Sequence, residues 1–268
     1  MTVIEHELEE TVAESGRYRA VLVPARGDIG DLHPRRERDG HVGVMWARHP
    51  FYWLGDDRYG RDAATHRDEH PEWAETSDWF TAHGPWIDTG AMVRHLVRRH
   101  GASVVLPLYL YDHSGLSISA GQNLAGDDVA ARDAARRGGR FVPDPQGWDT
   151  SYVGVVFDTA RTREVTGVEP ALAEESLRAE VAEYDSYLTN DVWDVRIEQQ
   201  ASDHDWHLYR QSDQMRCTQC RTEFSPGEFH RGDCPTWDEV DYVGGYLGHD
   251  FAVASARGLL TEHSISPA

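Results

Sequence analysis

Residues 103–111 read Ser-Val-Val-Leu-Pro-Leu-Tyr-Leu-Tyr and give the strongest strand signal in the chain. β-Branched and aromatic side chains favour extended backbone, and the run is short enough for a strand. The polar segment Asp112-His113-Ser114-Gly115 follows, and its composition is typical of a tight turn. A second short apolar run begins at Leu116 and ends at Ser119. The sequence therefore predicts a β-hairpin at the centre of the fold.

Further elements extend outward from this hairpin. Five more strands are predicted, at residues 18–24, 41–47, 152–158, 192–197 and 241–247, the last pairing with 192–197. Three helices are predicted: one from Asp88 or Thr89 to Gly101, one from Pro170 to Asn190, and one over residues 251–260. In the second, Leu177, Val181, Tyr184 and Leu188 have the spacing of a buried stripe. The stretch from Asp56 to Pro85 predicts a long loop with one short helix near Trp79.

These elements predict an α+β fold with a mostly antiparallel sheet, two or three packed helices and a small zinc-stapled loop. The main domain is expected over residues 1–200, with residues 121–147 as an inserted mobile loop rich in Gly, Ala, Arg and Asp. A zinc-binding lobe is expected over residues 201–240. Residues 241–268 would return to the main domain as a strand and a helix.

The zinc prediction depends on four residues within eighteen positions: Cys217, Cys220, His230 and Cys234. Thiolates and imidazoles bind zinc at about 2.0 to 2.3 Å, and four such ligands complete a tetrahedral structural site. Turns at Pro226-Gly227 and Gly232-Asp233 would bring the second pair back to the first. The sequence therefore predicts one structural Zn²⁺.

Two other interpretations of the cysteines stay open. The first is a disulfide between Cys217 and Cys220 with Cys234 left over, although an odd, clustered cysteine count fits a metal better. The second changes only the fourth ligand, because His204, His207 or His249 lies close enough in sequence to replace His230.

Composition restricts the partners of the chain. It has 26 basic residues, all arginine, against 46 acidic residues, so its formal net charge is −20. A surface this acidic repels phosphate backbones, so direct nucleic-acid binding is disfavoured. No apolar run reaches the roughly 18 residues of a membrane helix, and the acidic N-terminus is unlike a signal peptide. We therefore expect a cytoplasmic protein that does not insert in membranes.

Several motifs resemble one family. Leu106 to Gly115 (LPLYLYDHSG), Trp148-Asp149 followed by Val153-Gly154, and the helical segment from Glu183 to Thr189 resemble a family of proteins found in bacteriophages and mobile elements. The resemblance covers roughly residues 18 to 200 and resumes weakly near 241 to 252. That family has no assigned activity, so the resemblance implies a common fold and a setting, but no catalytic residues. The chain departs from the family pattern at residues 121–147 and in the cysteine-bearing loop.

Asp112, His113 and Asp149 are the candidate catalytic residues. All three are expected at strand ends, where a carboxylate beside an imidazole can orient a general base or bind a divalent metal. The alternative is that Asp112 to Gly115 is only a turn. A second oxygen-rich group, a candidate magnesium or manganese site, consists of Asp28, Asp31, His33, Asp56 and Asp57.

Two functions follow as expectations. The first is an accessory protein of a phage or mobile element that binds a protein partner and inhibits a host factor, since the chain is acidic and rich in aromatic residues. The second is a small metal-dependent hydrolase that uses the Asp/His cluster. The chain shows no Rossmann glycine fingerprint, P-loop or nucleophile elbow, which favours the first.

Overall fold

The computed structural model describes residues 9–15, 17–25, 33–35, 40–47, 49, 51–52, 54–56, 71–83, 89–113, 115–126, 148–200, 208–211, 214–217, 223–224 and 237–265. The strands are β1 Glu10–Ser15, β2 Tyr18–Pro24, β3 Gly43–Ala47, β4 Val105–Asp112, β5 Leu116–Ala120, β6 Thr150–Asp158, β7 Val192–Gln200, β8 Leu208–Gln211, β9 Gln214–Cys217, β10 Glu223–Phe224 and β11 Trp237–Leu247. The α-helices are α1 Pro71–His83, α2 Thr89–His100, α3 Ala160–Thr166, α4 Ala173–Leu188 and α5 His249–Ile265.

The chain divides into two compact units. A terminal unit comprises residues 1–27 and 192–268, and a central unit comprises residues 28–191. The described strands pair antiparallel throughout, in sheets of order β1-β2-β7-β11, β3-β6-β4-β5 and β10-β9-β8. The α+β class with antiparallel sheets is thus confirmed. The division differs from the predicted single main domain because β2 pairs with β7, not with a strand of the central sheet.

The central sheet is covered on both faces. Side chains of one face, such as Val105 and Phe157, pack with Met92 and Leu96 of α2. Alternate side chains, such as Leu106, pack against α4 on the other face. Because side chains alternate across a strand, a strand buried on both faces is apolar throughout. This explains the continuous apolar run of β4. The predicted hairpin of β4 with β5 is confirmed.

The terminal sheet has α5 on one face. Ala20, Leu22, Val195 and Ile197 form a core with Ala252, Ala256 and Leu260, which recur every four residues along the helix. The predicted pairing of residues 192–197 with 241–247 is confirmed as β7 with β11. The predicted C-terminal helix is present and is longer than residues 251–260.

The predicted helices of the central unit are present. In α4, Leu177, Val181 and Tyr184 are buried, as their spacing predicts. The helix α2 starts at Thr89 and is followed by Gly101 at φ 64°, a left-handed conformation that favours glycine. The helix α1 is longer than the single short helix expected near Trp79.

The first residues of the predicted insertion 121–147 pack against β4. Gly121 N–H donates to the Pro107 carbonyl at 2.8 Å, and Leu124 N–H donates to the Val105 carbonyl at 2.8 Å. The Leu124 side chain is buried in the core. Residues 121–126 therefore extend the packed sheet, and residues 127–147 lie outside the described part of the chain.

Among the helices in the described ranges, none is both long enough and apolar enough to cross a membrane.

Two histidine–carboxylate contacts tie α5 to its sheet. His249 Nε2 lies 2.9 Å from Glu10 Oε2 of β1, and His263 Nε2 lies 3.0 Å from Asp241 Oδ2 of β11. Hydrogen bonding to Glu10, with the Glu10 and Asp250 charges, raises the pKa of His249. Hydrogen bonding to His263 lowers the pKa of Asp241. Both contacts are strongest when the imidazole is charged.

The contact of His249 with Glu10 predicts a pH-dependent stability. Its contribution is fully present below about pH 6.5, the ordinary pKa of an imidazole, and is lost as pH rises through the raised pKa of His249. We therefore expect His249→Asn to lower the free energy of unfolding more at about pH 5.5 than at about pH 8.5. Urea unfolding followed by circular dichroism measures the difference, and Glu10→Gln should reproduce it. An equal loss at both pH values would contradict the assignment.

Candidate functional site

The structure brings Asp112, His113 and Asp149 together at one end of the central sheet. The strand β4 ends at Asp112, and its antiparallel neighbour β6 begins at Thr150, so the residues flanking these strand ends meet. The backbone N–H of Asp112 donates to the carbonyl of Asp149 at 3.1 Å. His113 Nδ1 lies 3.6 Å from Asp149 Oδ2.

The segment after β3 completes this end of the sheet. β3 pairs antiparallel with β6, so β3 ends at Ala47 on the side of the sheet where β6 begins. The Tyr52 hydroxyl donates to Asp112 Oδ1 at 3.4 Å, and His49 Nε2 lies 4.0 Å from Asp112 Oδ2. The His49 ring stacks on Tyr52 at 4.8 Å between centroids and meets the edge of Phe51 at 5.8 Å.

We call this group the strand-end patch; it consists of His49, Phe51, Tyr52, Asp112, His113, Trp148 and Asp149. Phe51 is 81% exposed and Trp148 is 83% exposed, which is unusual for large aromatic residues. His49, Phe51 and Tyr52 are not among the site residues predicted from the sequence. The sequence feature that could have found them is the Phe51-Tyr52 pair, which begins two residues after His49 and shortly after the buried strand β3.

The polar groups of the strand-end patch differ in exposure, since the His49 side chain is 13% exposed and the Asp112 side chain is 36% exposed. The His113 side chain is 68% exposed and the Asp149 side chain is 43% exposed. The Asp112 charge raises the pKa of the Tyr52 phenol, so this hydroxyl stays protonated and donates to the carboxylate. Asp112, His113 and Asp149 are exposed enough to form hydrogen bonds with a group placed on the patch. Within the described residues, no group of three or more His, Cys, Asp or Glu side chains is arranged to hold a metal ion.

Most of the predicted zinc ligands lie outside the residues that the structure describes. Cys217 is the last residue of β9, whereas Cys220, His230 and Cys234 lie outside the described residues, as do the alternatives His204 and His207. The remaining alternative, His249, contacts Glu10 and the edge of Trp193. The structural zinc site therefore stays a prediction.

The second predicted oxygen-rich group contains a buried ion cluster instead of an open metal site. Arg35 is fully buried, and its Nε donates to Asp56 Oδ1 at 3.1 Å. Its two terminal nitrogens donate to Glu180 Oε2 at 2.8 Å and to the Gly43 carbonyl at 2.6 Å. Asp56 Oδ2 also accepts the Met45 N–H at 2.7 Å. The interpretation of Asp56 as an open metal ligand is wrong, because its oxygens hold an arginine and the backbone.

The other members of that oxygen-rich group do not join Asp56 in the described structure. His33 Nδ1 accepts the backbone N–H of Arg35, and its ring contacts Tyr184 and Tyr187. Asp28, Asp31 and Asp57 lie outside the described residues.

Electrostatics fixes the charge of Arg35. Burial alone would lower the pKa of this guanidinium, but the charges of Asp56 and Glu180 raise it above its ordinary value. Burial raises the pKa of Glu180, against the opposing influence of Arg35 and of the Val42 and Gly43 N–H groups. A buried cation held by two carboxylates and a carbonyl is typical of a structural cluster.

Comparisons with protein-family models, with curated proteins and with solved structures return no match to this chain. The resemblance of the LPLYLYDHSG and Trp148-Asp149 motifs to the phage and mobile-element family therefore stays a prediction.

The buried ion cluster predicts a large loss of stability when one partner is removed. We expect Arg35→Met to lower the free energy of unfolding by about 3 to 5 kcal/mol, because Asp56 and Glu180 become buried charges without their cation. The matched control is Arg99→Met, which removes an exposed pair with Glu75 and should lower the free energy of unfolding far less. Urea unfolding of both variants measures the difference. Equal losses would show that the cluster is not a special constraint.

Proposed function

We propose that this protein acts by binding a protein partner through the strand-end patch. The observation behind the proposal is the exposure of the Phe51 and Trp148 side chains at this end of the central sheet. Exposed aromatic groups with polar neighbours are typical of protein interfaces, where aromatic side chains supply much of the binding energy. The motif resemblance supports the setting, namely an accessory protein of a phage or mobile element that inhibits a host factor.

The position of the patch also supports a binding role. Its residues lie at or just beyond the ends of β3, β6 and β4, three adjacent strands of a sheet covered on both faces. Residues on such a rigid base lose little conformational entropy when a partner binds, which favours affinity. Asp112 and Asp149 provide hydrogen-bond acceptors beside the aromatic rings.

The second candidate is a metal-dependent hydrolase. The observation that favours it is the 3.6 Å contact between His113 and Asp149, with Asp112 on the neighbouring strand end. An imidazole oriented by a carboxylate can serve as a general base. A divalent ion near Asp112 and Asp149 would then supply a Lewis acid.

The binding proposal predicts that aromatic truncation in the patch weakens capture of a partner. The double variant Phe51→Ala/Trp148→Ala should retain roughly a tenth or less of the partner that the wild-type chain captures from a lysate of the source organism. The captured protein is identified by mass spectrometry and its affinity is then measured with purified components. Circular dichroism confirms that the variant is folded.

The matched control for this experiment is Phe251→Ala, which truncates another exposed aromatic side chain, 61% exposed on α5. Capture should be unchanged in this variant. If the two variants capture the partner equally well, the strand-end patch is not the binding surface.

We also propose that Cys217, Cys220, His230 and Cys234 bind one structural Zn²⁺. Native mass spectrometry should find one zinc per chain, and Cys217→Ser should lose it because three ligands hold zinc far less tightly than four. His207→Ala should keep the metal, whereas His230→Ala should not. Zinc retained in Cys217→Ser would contradict the ligand set.

The same spectra test the hydrolase. When magnesium or manganese is added, a second ion that binds the wild-type chain but not Asp112→Asn would favour the metal-dependent enzyme over the binding protein. Absence of a second ion would remove the metal on which that candidate depends.

A further inference from the structure

The strand-end patch combines carboxylates with exposed aromatic rings. Asp112 receives the Tyr52 hydroxyl at 3.4 Å, and Asp149 follows the exposed Trp148 directly in the chain. The backbone hydrogen bond between Asp112 and Asp149 keeps the two residues adjacent. A group bound here therefore meets negative charge and aromatic surface together.

The terminal unit already contains an arginine bound by the same two kinds of group. The Arg19 guanidinium lies 4.5 Å from the centroid of the Trp237 ring, and its Nε lies 2.6 Å from Glu198 Oε2. A guanidinium stacks on an aromatic face through its charge and plane, while a carboxylate accepts its N–H groups. Arg19 is thus an example, within this protein, of an arginine held by a carboxylate and a tryptophan ring.

Charge favours the same ligand for the strand-end patch. The chain has a formal net charge of −20, so its long-range field attracts cationic partners and repels anionic ones. The patch itself consists of two carboxylates, two imidazoles and three aromatic rings. A lysine ammonium satisfies the charge but, unlike a guanidinium, cannot stack as a plane on Trp148.

We infer that the strand-end patch binds an arginine side chain presented by an arginine-rich segment of the partner protein. The guanidinium donates to Asp112 and Asp149 and lies against the exposed rings of Trp148 and Tyr52. Phe51 covers apolar atoms next to it. This inference rests on the proposed function, because it specifies the partner of that same patch.

The test uses a short fluorescein-labelled peptide of alternating Arg and Gly, with the full-length chain and fluorescence anisotropy. A citrulline peptide keeps the planar shape of arginine without its charge, and a lysine peptide keeps the charge without the plane. We expect the arginine peptide to bind about tenfold or more tightly than the citrulline peptide, and more tightly than the lysine peptide. Its affinity should also fall as salt is raised.

Variants then locate the peptide. Asp112→Asn/Asp149→Asn and Trp148→Ala should each weaken the arginine peptide about tenfold. The control Asp238→Asn/Asp250→Asn removes two exposed carboxylates of the terminal unit and the same net charge, and it should bind like the wild type. Circular dichroism verifies the fold of each variant.

Three results would overturn the inference: equal affinity for the arginine and citrulline peptides, equal weakening by the control variant, or self-association of the chain that Trp148→Ala abolishes. If Phe51→Ala/Trp148→Ala fails to capture the partner but Asp112→Asn/Asp149→Asn still captures it, the proposed function stands and the arginine inference is rejected. If capture of the partner is unchanged in both double variants, the proposed function and the arginine inference are both rejected.

Discussion

The buried guanidinium of Arg35 is the constraint on which the central unit depends. Its two carboxylate partners come from distant parts of the chain, since Glu180 is 145 residues away. A buried cation is tolerated only when its partners are in place, so the segments that carry Arg35 and Asp56 must assemble together with β3 and α4. Gly43 has no side chain because a Cβ there would collide with Leu177 and Glu180. The ion cluster therefore favours glycine at position 43 and requires these segments to pack together.

The strand-end patch is connected to that cluster through β3. Met45 of β3 donates its N–H to Asp56, and Asp56 returns its own N–H to the Met45 carbonyl at 3.0 Å. The segment that includes His49 and Tyr52 begins at β3 and ends at Asp56, so both of its ends are anchored. Carboxylates also occupy both edges of the sheet, because Glu180 accepts the Val42 N–H and Asp185 accepts the Ile118 N–H of β5. Asp56, Glu180 and Asp185 of the central unit therefore have structural roles.

Local periodicity is what the sequence predicted well. The β4–β5 hairpin and the stripe of α4 depend on residues close together in the chain, and both were expected at nearly their observed positions. The convergence of Asp112 with Asp149 was also within reach, since the end of one antiparallel strand lies beside the start of its neighbour. The pairing of β2 with β7 was not, because it joins residues such as Leu22 and Val195 that no local pattern connects. Arg35 likewise reads as a surface residue beside Pro34 and Arg36, since its burial depends on Asp56 and Glu180.

Solvent exposure favours the proposed recognition over catalysis at the strand-end patch. Electrostatic catalysis depends on charges held in a site from which water is excluded, where their interactions are strong. The side chains of His113 and Asp149 are instead 68% and 43% exposed to water, which screens them. Exposed rings such as Phe51 and Trp148 exclude water from neighbouring charges only when another surface covers them. In the proposed complex, the partner would thus complete the low-dielectric environment in which Asp112 and Asp149 bind a cation strongly.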